Sequence, residues 1–113
     1  MARMRYEIVL APVAVEQLKS LRAHVRARVR DEIERHLRHE PKKVSRSRIK
    51  RLRGLARPQY RLRVGEVRVF YDVEEDEVQV LGIIEKARAA EWLGEEGEEF
   101  EGPEESGGSK DEG

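Results

Sequence analysis

The chain has no cysteine among its 113 residues. A disulfide framework, a thiolate metal site and a cysteine nucleophile are therefore excluded. Aromatic residues make up only 5%, and there are four prolines. With 41% of residues charged, nothing approaches the roughly 18 consecutive apolar residues of a membrane span. The apolar stretch in the N-terminal MARMRYEIVLAP is too short for a secretory signal. No Gly-rich phosphate loop and no Ser/His/Asp constellation is present, and no residue pattern calls for a metal or a cofactor. The expectation is a cytoplasmic protein with one small core.

Net charge is also lacking over the whole chain, since 23 Lys+Arg balance 23 Asp+Glu. By position the balance disappears. Residues 1–93 hold 22 basic and 14 acidic residues, a net of +8, and residues 94–113 hold one Lys against nine acids, a net of −8. The segment after Leu93 is rich in Glu, Gly and Ser, with Phe100 its only large apolar residue. Such a composition buries too little surface to offset ordering entropy. The reading is a domain over 1–93 and a disordered acidic tail over 94–113. The tail can solubilise the chain, or fold back on the basic body in a way that salt would weaken.

Residues 5–10 read as a strand, and Pro12 suits the first turn of a helix. From Val13 to His39 the apolar residues Val15, Leu18, Leu21, Val25, Val29, Ile33 and Leu37 keep helical spacing. One helix of that length would run roughly 40 Å at about 1.5 Å per residue, too long for so small a domain. Steps of four also rotate the stripe around the axis. A break near Leu21–His24 and a helical hairpin ending before Pro41 resolve both points. Residues 42–58 read as a basic connector pinned by Ile49, Leu52 and Leu55.

The segment YRLRVGEVRVFYDV at 60–73 alternates with a period of two, the strand signature. Gly65-Glu66 fits a two-residue hairpin turn. That turn sets Val64 against Val67, Arg63 against Arg68, Leu62 against Val69 and Arg61 against Phe70. One face is apolar and must pack on the helices. The other carries Arg61, Arg63, Arg68 and Phe70. A turn at 74–77 leads to an apolar strand over 78–84, and EKARAAEWL at 85–93 reads as a short helix anchored by Trp92 and Leu93. The fold class is α+β: an N-terminal strand, a helical hairpin, a three-stranded antiparallel meander and a short C-terminal helix.

Arg63 opposite Arg68, with Arg61 diagonal, places like charges together, which is destabilising without an anion. Guanidinium groups offer paired donors to phosphate oxygens. Phe70 can either stack on a base or cover the sheet. Residues 42–68 hold eleven basic residues and one acid, Glu66. In that block Lys42, Lys43, Arg46, Arg48, Lys50, Arg51, Arg53 and Arg57 extend the arginine face, the footprint of a nucleic-acid partner. His24, His36 and His39 read as helix-surface residues.

The strand, the helical hairpin ending at Pro41, RIKRLRGL at 48–55 and YRLRVGEVRVFYDV together resemble the RelE/ParE superfamily of toxin–antitoxin toxins, over about residues 5–93. The resemblance implies a type II toxin with a cognate antitoxin as partner. Its RelE-like branch cleaves mRNA on the ribosome by attack of the ribose 2′-OH, leaving a 2′,3′-cyclic phosphate. By motif match Arg61, Arg63 and Arg68 hold the scissile phosphate. Lys86 or Arg88 supplies a late cation, and Glu85 or Glu91 a base. Trp92 stands near the place of the family's usual Tyr. The leading reading is that ribosome-dependent endonuclease; the alternatives are a ParE-like inhibitor of DNA gyrase that acts by binding, or an attenuated member that binds RNA or antitoxin.

Overall fold

The apolar stripe from Val15 to Leu37 bends at Ser20. The computed structural model, which describes residues 4–99, places helix α1 over Pro12–Lys19 and helix α2 over Ala23–Leu37. At the corner the Ser20 hydroxyl donates to the Gln17 carbonyl at 2.8 Å. The Arg26 guanidinium donates to the carbonyls of Lys19 and Leu21 at 3.1 and 2.9 Å. These bonds satisfy carbonyls that the end of α1 would otherwise leave open. Ala14 and Leu18, then Val29, Ile33 and Leu37, are buried at steps of four. The hairpin is thus the expected one. Its second arm ends at Leu37, so His39 lies in the turn beyond the helix.

The other elements are strands β1 (Glu7–Leu10), β2 (Ile49–Arg51), β3 (Leu55–Arg57), β4 (Tyr60–Val64), β5 (Val67–Glu74) and β6 (Glu77–Glu85), helix α3 (Lys86–Glu96), and strand β7 (Glu98–Glu99). The main sheet has the order β1-β6-β5-β4-β2, and β3 pairs with β7 in a separate ribbon. β4, β5 and β6 form the expected meander, with β1 added parallel to β6 and β2 antiparallel to β4. Gly65 takes φ +59° in the hairpin turn, a region open to Gly at no steric cost. The β4–β5 register is the one the turn demands, including Arg63 against Arg68 and Arg61 against Phe70.

Two elements depart from the sequence reading. The connector contains the short strands β2 and β3, each too brief to show a period. α3 runs through Gly94 to Glu96, and β7 follows, whereas the tail was expected to begin at Gly94. Gly94 meets nothing within 4 Å of where a Cβ would stand. A solvent-facing Gly costs a helix only about 1 kcal/mol, and packing on both sides of it holds the turn. The remainder of the expected tail, residues 100–113, lies outside the described residues.

The core lies between the hairpin and one sheet face. Tyr60, Leu62, Val64, Val67, Val69, Tyr71, Val78, Val80 and Ile83 supply the sheet side. Tyr71 is fully buried, stacks on Tyr60 at 5.5 Å between centroids, and donates its hydroxyl to the Pro41 carbonyl at 2.7 Å. Burial raises the Tyr71 phenol above its ordinary pKa, with Tyr60 a lesser cause, so the hydroxyl stays a donor. The bond fixes the chain just past α2 to the central strand. Among the described residues no helix is long and apolar enough to cross a membrane.

Tyr71→Phe keeps the ring and strands a buried carbonyl. The expected cost is about 1–2 kcal/mol, read as a lower urea midpoint at unchanged m-value. An unshifted midpoint would show that the bond contributes nothing.

Candidate nucleic-acid interface

Directly paired residues on adjacent strands share a face. The registers therefore lay out the outer sheet face in two rows. One row is Lys50–Arg61–Phe70–Gly82, and the other is Arg63–Arg68–Ile84. The Arg63 amide donates to the Arg48 carbonyl at 2.9 Å, which brings the connector beside the second row. β2 thus places Lys50 with the hairpin arginines, a juxtaposition that the sequence alone does not reveal.

The four cations differ in surroundings. Arg63 and Lys50 are exposed. Arg61 is half-buried, and its Nε has no hydrogen-bond partner. Desolvation, then the charges of Arg68 and Arg63, pull its pKa below the usual guanidinium value. Arg68 is 8% exposed and donates Nη1 to the carbonyls of Gly65 and Val67 at 2.8 and 3.2 Å. Desolvation and Arg63 lower its pKa, while Glu66 opposes them. Among the described residues none of the four pairs with a carboxylate. The site is therefore a cluster of like charges with donors unused, suited to an anion bearing several oxygens.

Phe70 takes the second of its two sequence readings. It is 1% exposed and lies beneath Trp92, the rings stacked at 5.1 Å with 16° between planes. It cannot reach a base, which corrects the expectation of Phe70 as a nucleic-acid contact. α3 crosses this half of the face, and Gly82 makes the approach possible. A Cβ there would stand 2.5 Å from the Trp92 ring. A lone Gly inside an apolar strand signals such a close approach.

The expected catalytic set divides. Arg61, Arg63 and Arg68 share the outer face. Glu85 pairs with Val67, so Ile84 and not Glu85 takes the position beside Arg68. Glu85 and Arg88 instead line a cleft of about 340 Å³ at the outer edge of β6, with Gln17, Glu91 and Trp92. That edge is two strands from Arg61. Lys86 starts α3, its amide donating to the Glu66 carbonyl at 2.7 Å, and lies in a separate depression with Arg22 and Glu66. Period-two alternation identifies the hairpin's faces, but it cannot say where the chain turns out of β6 into α3.

The connector residues Lys42, Lys43, Arg46, Arg48, Lys50, Arg51, Arg53 and Arg57 are all exposed. Some are partly engaged. Arg48 lies 3.3 Å from Glu32, which also meets His36 at 2.9 Å. Lys43 reaches Glu40 at 3.9 Å, and Arg51 lies over the Tyr60 ring at 5.1 Å. Arg57 donates Nε to Asp72 at 2.8 Å, and Asp72 also accepts the Gln59 amide at 2.8 Å. Asp72 is 2% exposed. It is an outer-face acid committed to holding β3, and sequence reasoning missed it. Among the described residues no three His, Cys, Asp or Glu side chains gather as a metal site.

A strand, a helical hairpin and a mostly antiparallel sheet with a basic outer face define a small toxin fold of the RelE/ParE superfamily. The chain belongs to the family described as ParE toxin of type II toxin-antitoxin system, parDE, whose sequence pattern matches residues 8–90. Among solved structures it is similar to the toxin–antitoxin complex RelBE2 from Mycobacterium tuberculosis, with 23% identity and a TM-score of 0.61 over 74% of this chain and 94% of that one. It is also similar to a RelB–RelE antitoxin–toxin complex from Methanococcus jannaschii (22%, 0.57, 75% and 98%). A third similar structure is an archaeal RelE–RelB complex from Pyrococcus horikoshii (25%, 0.54, 75% and 99%). A search of curated proteins gives no match.

Gly82→Ala should push Trp92 off the sheet. Overpacking of this kind costs about 1–3 kcal/mol, and the displaced Trp92 should report it as red-shifted fluorescence. An unchanged spectrum and unchanged stability would refute the close packing.

Proposed function

We propose that this toxin acts on ribosome-bound mRNA in the cytoplasm, holding the scissile phosphate on the outer sheet face. One observation carries the reading: Lys50, Arg61, Arg63 and Arg68 share that face, and among the described residues none of them is ion-paired to a carboxylate. In the reaction the ribose 2′-OH attacks phosphorus and the bond to the 5′ oxygen breaks, leaving a 2′,3′-cyclic phosphate and a 5′-hydroxyl. Charge grows on the non-bridging oxygens as the pentavalent transition state forms. Fixed cations aimed at those oxygens lower the barrier. Arg61 is held among Arg63 and Arg68 and partly desolvated, so its guanidinium charge acts on phosphate in a medium less screened than water. The 2′-OH proton must leave and the 5′ oxygen must gain one. Guanidinium does not release a proton in proteins, so of the four side chains only Lys50 can exchange one. The solved relatives, each a toxin–antitoxin complex, support a cognate antitoxin as the second partner, masking the toxin until it is released.

A second reading, inhibition of DNA gyrase by binding alone, is favoured by two observations. The matching family is that of ParE toxins. All three tyrosines, Tyr6, Tyr60 and Tyr71, are buried in the core, so none can serve as a proton donor on the face.

Programmed ribosomes incubated with the toxin should yield A-site cleavage carrying a cyclic phosphate. Arg61→Ala and Lys50→Ala should each slow it about 10²-fold with unfolding midpoints unchanged. Intact mRNA would overturn the first reading. Undiminished supercoiling at micromolar toxin would overturn the second.

A further inference from the structure

The cations of the outer face follow a regular spacing. Arg61 and Arg63 are two residues apart on β4, a step of about 6.8 Å in an antiparallel strand. Each stands in a row, Lys50 beside Arg61 and Arg68 beside Arg63. The next step of two falls on Gly65, which has no side chain to carry the series on. Helix α2 supplies one. The Arg28 guanidinium lies over the turn, its Nη1 3.1 Å from the point where a Gly65 Cβ would stand. Arg28 is exposed, and among the described residues it has no carboxylate partner. Glu66, the acid of the turn, lines the separate depression with Arg22 and Lys86.

The spacing selects a ligand. Successive phosphates of an extended single strand lie about as far apart as alternate residues of a β-strand. Guanidinium groups at that interval can each meet one phosphate with paired donors. The width of the open face points the same way. α3 covers the half above Phe70, where the Trp92 ring is stacked. What remains open is β4 and β2, roughly 10 Å across at about 4.8 Å per strand. One backbone fits that width, and the two backbones of a paired helix do not.

We propose that β4 is a three-step phosphate track for one extended nucleic-acid strand, with Arg28 of α2 as its third step. Arg61 with Lys50, Arg63 with Arg68, and Arg28 at the hairpin turn each hold a successive phosphate. Arg28 is a binding residue contributed by the helical layer, and it stands away from the reacting atoms. The inference rests on the outer face being the nucleic-acid surface. It adds the form of the ligand, single and extended, and a contact beyond the sheet. Because the track meets phosphates and not sugars, it holds a strand whether or not that strand carries 2′-hydroxyls.

The probe is a labelled single-stranded DNA of about 12 nucleotides, within the site sizes of single-strand binders. It lacks the 2′-OH and so stays intact during the measurement. Against the full-length protein, Arg28→Gln should bind it roughly fivefold more weakly at about 100 mM salt, the loss of one hydrogen bond to a charged group. The slope of log affinity against log salt should become shallower by about 0.7, the share of one phosphate on a single strand. Arg63→Gln should do the same, and the double variant should lose about 1.4, because the two side chains hold different phosphates. Arg30→Gln lies about 200° around α2 from Arg28 and should leave the slope unchanged. All three arginines are exposed, so unfolding midpoints should not move. A duplex of the same sequence should bind more weakly than the single strand. An unchanged slope in Arg28→Gln, an equal loss in Arg30→Gln, tighter binding of the duplex, or no binding of the strand would overturn the track. Normal cleavage of ribosomal mRNA with an unchanged Arg28 slope would overturn the track alone. The expected slopes together with uncleaved ribosomal mRNA would uphold the track and defeat the nuclease reading instead.

Discussion

The outer half of this molecule depends on one steric vacancy. Gly82 contributes no side chain to the outer sheet face, and the Trp92 ring fills the space. Ring-on-ring contact with Phe70 then fixes the direction in which α3 crosses the strands. That single packing event divides the face. The β6 side is dry and covered, while the β4 and β2 side keeps its arginines open. It also delivers the chain to Gly97, where β7 can meet β3. A larger residue at position 82 would lift the helix and disturb all three outcomes together.

Electrostatics adds a second constraint. Cations held side by side on adjacent strands repel, and the structure relieves only part of the repulsion. Arg68 turns two of its donor contacts onto carbonyls of its own hairpin. Asp72, a buried acid on this face, is committed to Arg57 and the Gln59 amide. It steadies β3 and leaves the field of Lys50, Arg61 and Arg63 uncancelled. The free protein thus holds a region of positive potential that an anionic ligand would relax.

Much of this was legible in the sequence. The period of two across 60–73, with Gly65-Glu66 at its centre, contains the β4–β5 register residue for residue, because a two-residue turn leaves no freedom of alignment. The helical break follows from length and drift alone. The rest was hidden for physical reasons. β2 and β3 are three residues each, and their pairing is decided by tertiary contact and not by pattern. Phe70 has the same alternation whether its face is open or covered, so only Gly82 carried a hint of Trp92. The separation of Glu85 from Arg61 depends on where β6 gives way to α3, a boundary that local propensity does not mark. Gly94 looked like a terminus because composition there resembles a tail, yet the helix passes through it.

The parallel pairing of β1 with β6 has a consequence for biosynthesis. It joins Glu7 to Glu77 and Leu10 to Val80, partners separated by about seventy residues. β1 must therefore wait unpaired until β6 has been made, since such non-local contacts form late. α3, which completes the outer face, is made later still. A nascent chain on the ribosome holds neither the finished sheet nor the covered face until its last elements are free. β6 and α3 thus complete the sheet and its covered face together, in one late step of folding.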